Sequence, residues 1–160
     1  MPGVKLTAHG FEAVDAALLE RIQAVRDPTP AQRQIGEYLD LAHRQRWDRA
    51  QAPDGAPWAP LSPVTIARKT AKGRPLGILV QSPMLRDTLR WAIQGRELVF
   101  GTDRPYGAAM QFGLARGAGG RTRRGTPIPW GDIPARPWLG LSEADRQEAL
   151  AIVRRHIEEG

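Results

Sequence analysis

Thr88-Leu89-Arg90-Trp91-Ala92-Ile93-Gln94-Gly95-Arg96-Glu97-Leu98-Val99-Phe100-Gly101-Thr102 alternates apolar and polar side chains up to a glycine and then returns. Leu89, Trp91 and Ile93 fall on one face, with Arg90, Ala92 and Gln94 on the other. That is the period-two pattern of a half-buried strand. Leu98, Val99 and Phe100 form the returning strand, and glycine at the first central position of Gly95-Arg96 permits a type II′ turn. The stretch predicts a hairpin and with it the α+β class: a small antiparallel sheet with a central hairpin, packed by two or three helices, with a long basic Gly/Arg loop.

Helical periodicity lies on both sides. Phe11, Val14, Leu18, Ile22 and Val25 recur at steps of three and four, an apolar stripe that predicts an amino-terminal helix within residues 1–28. Asp27-Pro28 ends it, because the residue before proline is pushed out of helical geometry. A second helix starts at once, with Thr29 as cap, Pro30 at its first position and Gln32 completing a capping box. Its buried side is predicted to be Ile35, Tyr38, Leu39 and Ala42. His43, Arg44, Arg46 and Arg49 crowd its carboxyl end, where positive charge complements the helix dipole. The last helix is capped by Ser142 with Asp145 three residues on, and Leu150, Val153 and Ile157 are expected on its apolar side. The second and last helices are the ones expected to cover the sheet.

The rest of the chain reads as loops. Fourteen prolines and seventeen glycines are more than a helical bundle would carry. Pro53-Asp54-Gly55-Ala56-Pro57-Trp58-Ala59-Pro60-Leu61 is a proline-rich turn anchored by Trp58 and Leu61. Ser62 or Pro63 opens a short helix, and Lys69 to Gly77 is expected to be polar and mobile. Tyr106 to Phe112 is a short helix ended by Gly113. Ile133-Pro134-Ala135-Arg136-Pro137-Trp138-Leu139 reads as an extended edge segment, since prolines are tolerated at edges. Between them, Leu114 to Thr126 is glycine and arginine (Arg116, Arg121, Arg123 and Arg124) with no acidic residue, and residues 114–132 are expected to form a flexible, solvated arm.

At 160 residues, 41% hydrophobic and 25% charged, the chain has the composition of one globular domain, here 1–160. The absence of cysteine excludes disulfides and thiolate metal sites. Met1 to Gly10 lacks the apolar core of a signal peptide, and no run approaches the roughly 18 apolar residues of a membrane helix, so a soluble, unexported protein is expected. The formal charge is +6, and arginine supplies nearly all of it, since lysine occurs only at Lys5, Lys69 and Lys72. Arginine suits protein interfaces and phosphates alike; codon bias in a GC-rich genome would enrich it as well.

No catalytic constellation is legible. His9, His43 and His156 sit in separate segments without partners at metal-ligand spacing, and Ser62, Ser82 and Ser142 lack a nucleophile elbow. Gly117-Ala118-Gly119-Gly120 lacks the Gly-Lys-Ser/Thr of a phosphate loop. No catalytic residue, metal or cofactor is expected. Of the tryptophans, Trp91 is expected in the core and Trp58 and Trp138 as loop anchors, whereas Trp130, beside the basic arm, is expected to contact a neighbouring subunit. Arg116, Arg121, Arg123, Arg124, Trp130 and Arg136 are the candidate partner-binding residues.

Several pieces, in order, resemble a known pattern. They are Pro53 to Leu61 with Thr65 and Lys69; Leu85-Arg86-Asp87-Thr88-Leu89; Val99 to Thr102; Tyr106-Gly107-Ala108-Ala109 with Gln111-Phe112-Gly113; and Ile133 to Leu141. Together they resemble the phage virion morphogenesis, or tail completion, family of Mu-type and related phages and prophages, from about residue 33 to 158. The chain departs from it at Pro83, where the family usually has glycine, and at Met110, where it often has histidine. Structural roles are expected for Trp91 from the strand alternation, and for Trp58, Leu61, Tyr106, Phe112, Gly113, Pro137 and Trp138 within the resembling pieces. The resemblance implies a non-enzymatic virion protein of the phage neck or tail, present in the host cytoplasm during assembly. It also implies a ring, commonly six-fold, that completes the tail or joins it to the head, with connector and tail tube proteins as neighbours. A DNA-binding accessory protein using the basic arm is the alternative, and non-specific contact with packaged DNA is compatible with either.

Overall fold

The protein is described here by a computed structural model covering residues 4–5, 26–80 and 85–159. The predicted amino-terminal helix, from Phe11 to Val25, lies outside the described residues. The architecture is α+β. Among the described residues the helices are α1 (Thr29–Asp48), α2 (Pro63–Ala71), α3 (Tyr106–Phe112) and α4 (Glu143–Glu159), and the strands are β1 (Val4–Lys5), β2 (Arg90–Gln94) and β3 (Glu97–Gly101). They fall into two compact units. The hairpin, the start of α1 up to residue 42 and the chain from Leu141 onward belong to the first. His43–Leu89 and Thr102–Gly140 make the second.

In the first unit, β2 and β3 pair antiparallel with Trp91 opposite Phe100 and Ile93 opposite Leu98. Gly95 turns the corner at φ +62°, in the left-handed region open to glycine. The strand starts later than its alternation predicts, because Leu85–Thr88 is a 3-10 turn in which the Thr88 hydroxyl donates to the Leu85 carbonyl at 2.9 Å. β1 adds a third strand beside β3, in the order β1-β3-β2.

The core of this unit is Ala31, Ile35 and Leu39 of α1, Leu98 of β3 and Ile152 of α4, with Tyr38, Trp91, Ile93, Phe100, Ala149 and Val153 around it. The two helices expected to cover the sheet, α1 and α4, therefore do so. Their ends differ from expectation. The α1 cap is Asp27, whose carboxylate accepts from the Thr29 N–H at 3.1 Å. Hydrogen bonding from Thr29, and then the charges of His156 and Arg33, hold its pKa below the ordinary value. Gln32 makes no capping box. It is buried and donates from Nε2 to the Arg96 carbonyl at 2.8 Å, tying α1 to the hairpin turn.

The cap of α4 forms as expected and is reciprocal. Ser142 N–H donates to Asp145 Oδ2 at 2.7 Å, and Asp145 N–H to Ser142 Oγ at 3.1 Å. Asp145 is itself buried and accepts from the Tyr38 hydroxyl at 3.1 Å. That bond sets the rotation of α4: with Asp145 turned inward, Ala149 and Ile152 follow at four and seven residues. Leu150, expected in the core, is therefore 51% exposed.

The second unit is built around indoles. Trp47 at the end of α1 meets Trp58 edge-on at a centroid distance of 5.2 Å, and Trp138 at 5.9 Å. All three are buried. Such aromatic pairs contribute about 0.5–1.5 kcal/mol beyond the area they bury. Trp47 carried no assigned role in the sequence; Trp58 and Trp138 are anchors as expected. His43 is also fully buried, at 1% exposure, and its Nε2 accepts from the Gly140 N–H at 3.4 Å.

The tightest approach in the first unit is Gly36 of α1 on Trp91. A Cβ at Gly36 would lie 2.5 Å from Trp91 Cδ2. Gly36→Ala is therefore expected to destabilise by about 1–3 kcal/mol through overpacking, although alanine favours a helix by about 1 kcal/mol over glycine. Trp91→Ala should cost about 3 kcal/mol, the lower end for a tryptophan truncation, because the ring is only half-buried. Urea unfolding followed by circular dichroism checks both. Combining Gly36→Ala with Trp91→Leu should recover part of the loss, and strictly additive losses would exclude the steric account.

Candidate functional site

The extended segment around Trp138 is held by side chains in place of a strand ladder. Gln111 of α3 does most of this. Its Oε1 accepts from the N–H groups of Trp138 and Leu139, each at 2.9 Å, and its Nε2 donates to the Leu139 carbonyl at 2.9 Å. Trp138 Nε1 donates to the Gly107 carbonyl at 3.0 Å, and Trp58 Nε1 to the Pro137 carbonyl at 2.7 Å. Gly113 ends α3 at φ +76°, where a Cβ would lie 2.8 Å from the Ile133 oxygen, so only glycine fits.

Arg136, expected to meet a partner, is turned inward. It is 7% exposed, and its guanidinium donates to the Ala59 carbonyl at 2.7 Å and the Pro60 carbonyl at 2.9 Å. Burial pulls its pKa down from the ordinary value. It clasps the proline-rich turn, because prolines supply carbonyls but no donors and the loop's oxygens need a partner from elsewhere.

Lys69 does the same for the segment expected to be mobile. Buried at the end of α2, its ammonium donates to the carbonyls of Pro75, Gly77 and Val80, each at 3.0 Å. Burial, then the charges of Arg74 and Arg136, lower its pKa. Its scarcity, one lysine of three among many arginines, was the only sequence signal that it differs. An ammonium can meet three convergent oxygens that a planar guanidinium cannot.

The Gly/Arg segment is not an unstructured arm. It folds back as an irregular hairpin over residues 114–133, opened by a bridge between Leu114 and Ile133 and closed by one between Arg121 and Pro127. Gly119 N–H donates to the Ile128 carbonyl at 2.7 Å, Ile128 N–H to Gly120 at 2.8 Å, and Thr122 N–H to Thr126 at 2.8 Å. Composition predicted that no core could form here. Backbone pairing needs none, and glycine readily takes the turn conformations.

Arg116, Arg121, Arg123 and Arg124 are all exposed. Arg121 Nη1 donates to the Gly125 carbonyl at 2.8 Å. At the base of the hairpin Trp130 is 51% exposed, with the Arg68 guanidinium 5.4 Å from its ring centroid. Of the residues expected to be structural, Tyr106 is 38% and Phe112 78% exposed. Phe112 stands outside the clasp that Gln111 makes beside it. Among the described residues there is no cluster of side chains able to hold a metal, and no helix long and apolar enough to cross a membrane.

A family model described as the phage virion morphogenesis family matches residues 10–158. The chain belongs to that family. Among its relatives, the Mu-like prophage FluMu G protein 2 of Haemophilus influenzae is 26% identical over 155 residues, 97% of this chain and 96% of that one. Tail completion protein S of Escherichia phage P2 is 28% identical over 127 residues, 78% of this chain and 81% of that one. No solved structure matches. The sequence pieces that resemble this virion morphogenesis family meet in the clasp: Gln111-Phe112-Gly113 holds Pro137-Trp138-Leu139, and Arg136 holds Ala59-Pro60.

The clasp makes neighbouring residues differ sharply in their tolerance. Gln111→Leu would strand two N–H groups and a carbonyl, each worth about 1–3 kcal/mol if left unpaired. At about 2–4 °C per kcal/mol for a chain of this size, a fall in Tm of about 6 °C or more is expected. Phe112→Ser, one residue on, should stay within about 0.5 kcal/mol of the parent, because it removes only exposed surface. Thermal unfolding of the two variants checks the contrast, and equal losses would refute the clasp.

Proposed function

We propose that this protein is a non-enzymatic structural subunit of a phage virion that completes the tail and joins it to the head. It acts as one member of an oligomeric ring, with the head-tail connector and the tail tube as neighbours. The match to the virion morphogenesis family over residues 10–158 is the observation that carries the reading, and the relative named for tail completion supports the tail as its place.

The surface of the second unit fits such a role. Phe112 and Trp130 are large apolar side chains left exposed, although α3 and the hairpin beneath them are firmly tied. Aromatic side chains on a rigid base are the usual anchors of protein interfaces, because they bury much area with little loss of side-chain freedom. A ring subunit needs two unlike surfaces, one for each neighbour in a head-to-tail contact. Phe112 and Trp130 supply one of them.

The free subunit is expected to be a monomer or weak oligomer that assembles on a partly built particle. The double variant Phe112→Ser with Trp130→Ser should fold with an unchanged circular dichroism spectrum. Losing two anchors at about 2 kcal/mol or more each, at every copy of the ring, should abolish assembly. In complementation of a phage lacking the gene, electron microscopy should then show filled heads and separate or overlong tails. A normal count of joined particles with this variant would sink the reading.

A further inference from the structure

We infer that the tip of the 114–133 hairpin grips the phosphate backbone of double-stranded DNA, without regard to sequence. The inference rests, for its place in the particle, on the proposed position at the head-tail junction, where packaged DNA passes.

Three observations carry it. Residues 114–133 contain Arg116, Arg121, Arg123 and Arg124 against one acidic residue, Asp132, which lies at the base and accepts from the Arg116 N–H at 2.7 Å. All four side chains are exposed; among the described residues Arg116, Arg123 and Arg124 bind nothing through their guanidinium groups, and Arg121 reaches only the Gly125 carbonyl of its own turn. The tip, residues 120–126, has no apolar side chain, only glycine, arginine and threonine. A protein partner would need something apolar to desolvate there, since interface hot spots are buried aromatic and aliphatic anchors. The exposed apolar groups lie below the tip, with Ile128, 43% exposed, directly beneath it and Trp130, 51% exposed, nearer the base. A phosphate backbone needs no such anchor, because its binding is driven by charge neutralisation and counterion release.

The shape agrees. A two-stranded ribbon is narrow enough to follow a DNA groove. Its backbone is tied across by the Gly119–Ile128, Ile128–Gly120 and Thr122–Thr126 bonds, so the arginines are presented on a formed support. Arginine and threonine can donate to phosphate oxygens as well as to base edges, and phosphates are the acceptors that every sequence offers them alike. Threonine hydroxyls at Thr122 and Thr126 would add donors to the same oxygens; Thr122 Oγ already accepts from the Thr126 N–H at 3.2 Å, which leaves its proton available.

The test is fluorescence anisotropy of the full-length protein with two labelled duplexes of about 30 base pairs and unrelated sequence, across a range of salt. Both duplexes should bind alike, with log affinity falling linearly against log salt. The triple variant Arg121→Ser, Arg123→Ser, Arg124→Ser should flatten that slope by about two to three and weaken binding at low salt at least tenfold. The corresponding lysine variant should retain most of the slope. Arg33→Ser with Arg154→Ser, exposed arginines elsewhere, should change it little. An unaltered slope in the triple serine variant overturns the inference, and so does an equal loss in the Arg33/Arg154 variant, which would indicate bulk charge alone.

In complementation, the triple serine variant should give joined particles with altered DNA retention or ejection. Loss of joining with DNA binding intact would instead assign the tip to an acidic protein neighbour and overturn the inference. Failure of the tail-completion reading is separate, since it shows in the Phe112/Trp130 variant.

Discussion

Every buried N–H and C=O must find a partner, and this chain has few regular ladders to provide them. With fourteen prolines and seventeen glycines, long stretches of the second unit offer carbonyls without donors beside them. Side chains reaching back to the backbone take over. Arg136 holds Ala59 and Pro60, Lys69 holds Pro75, Gly77 and Val80, and Gln111 holds Trp138 and Leu139. Remove these and the loops around the tryptophan cluster have no common frame.

This arrangement separates the residues committed to holding the fold from those left exposed. Arg136 and Lys69 carry charge but are committed to carbonyl oxygens and buried. Arg116, Arg121, Arg123 and Arg124 carry the same kind of charge yet stand exposed on a backbone-paired hairpin. The contrast extends to aromatic side chains. Trp138 and Trp58 each give their Nε1–H to a backbone carbonyl and bury the ring, whereas Trp130 and Phe112 keep their rings in solvent. Residue type alone separates neither pair, because the same side chain serves either role.

Local chemistry was legible where it is complete within a few residues. The Thr88 to Thr102 alternation with Gly95 identified the hairpin, and Ser142 with Asp145 identified the α4 cap. Where one local rule competes with another, the reading slipped. Thr29, Pro30 and Gln32 spelled a capping box, but Asp27 caps α1 and Gln32 serves the hairpin turn instead. The apolar stripe through Leu150 was plausible until the buried Asp145 turned the helix to put Ile152 inside. Arg136 lay among basic residues that read as a partner surface, and nothing nearby in sequence showed that it binds the turn some 76 residues earlier.

By itself, the sequence determined the α+β class, the hairpin and its turn, most helix spans, and the resemblance to a virion morphogenesis family, because each rests on periodicity, turn chemistry or ordered motifs along the chain. Tertiary structure alone decided which charges are available. Arg136 is buried on carbonyls some 76 residues away and Lys69 on a loop that folds back over it, whereas the hairpin arginines stay exposed. It decided as well that the Gly/Arg stretch forms a ribbon, since backbone pairing across the hairpin leaves no mark in side-chain composition. A side chain's identity sets what it can bind; only the fold sets whether its partner is already within the chain.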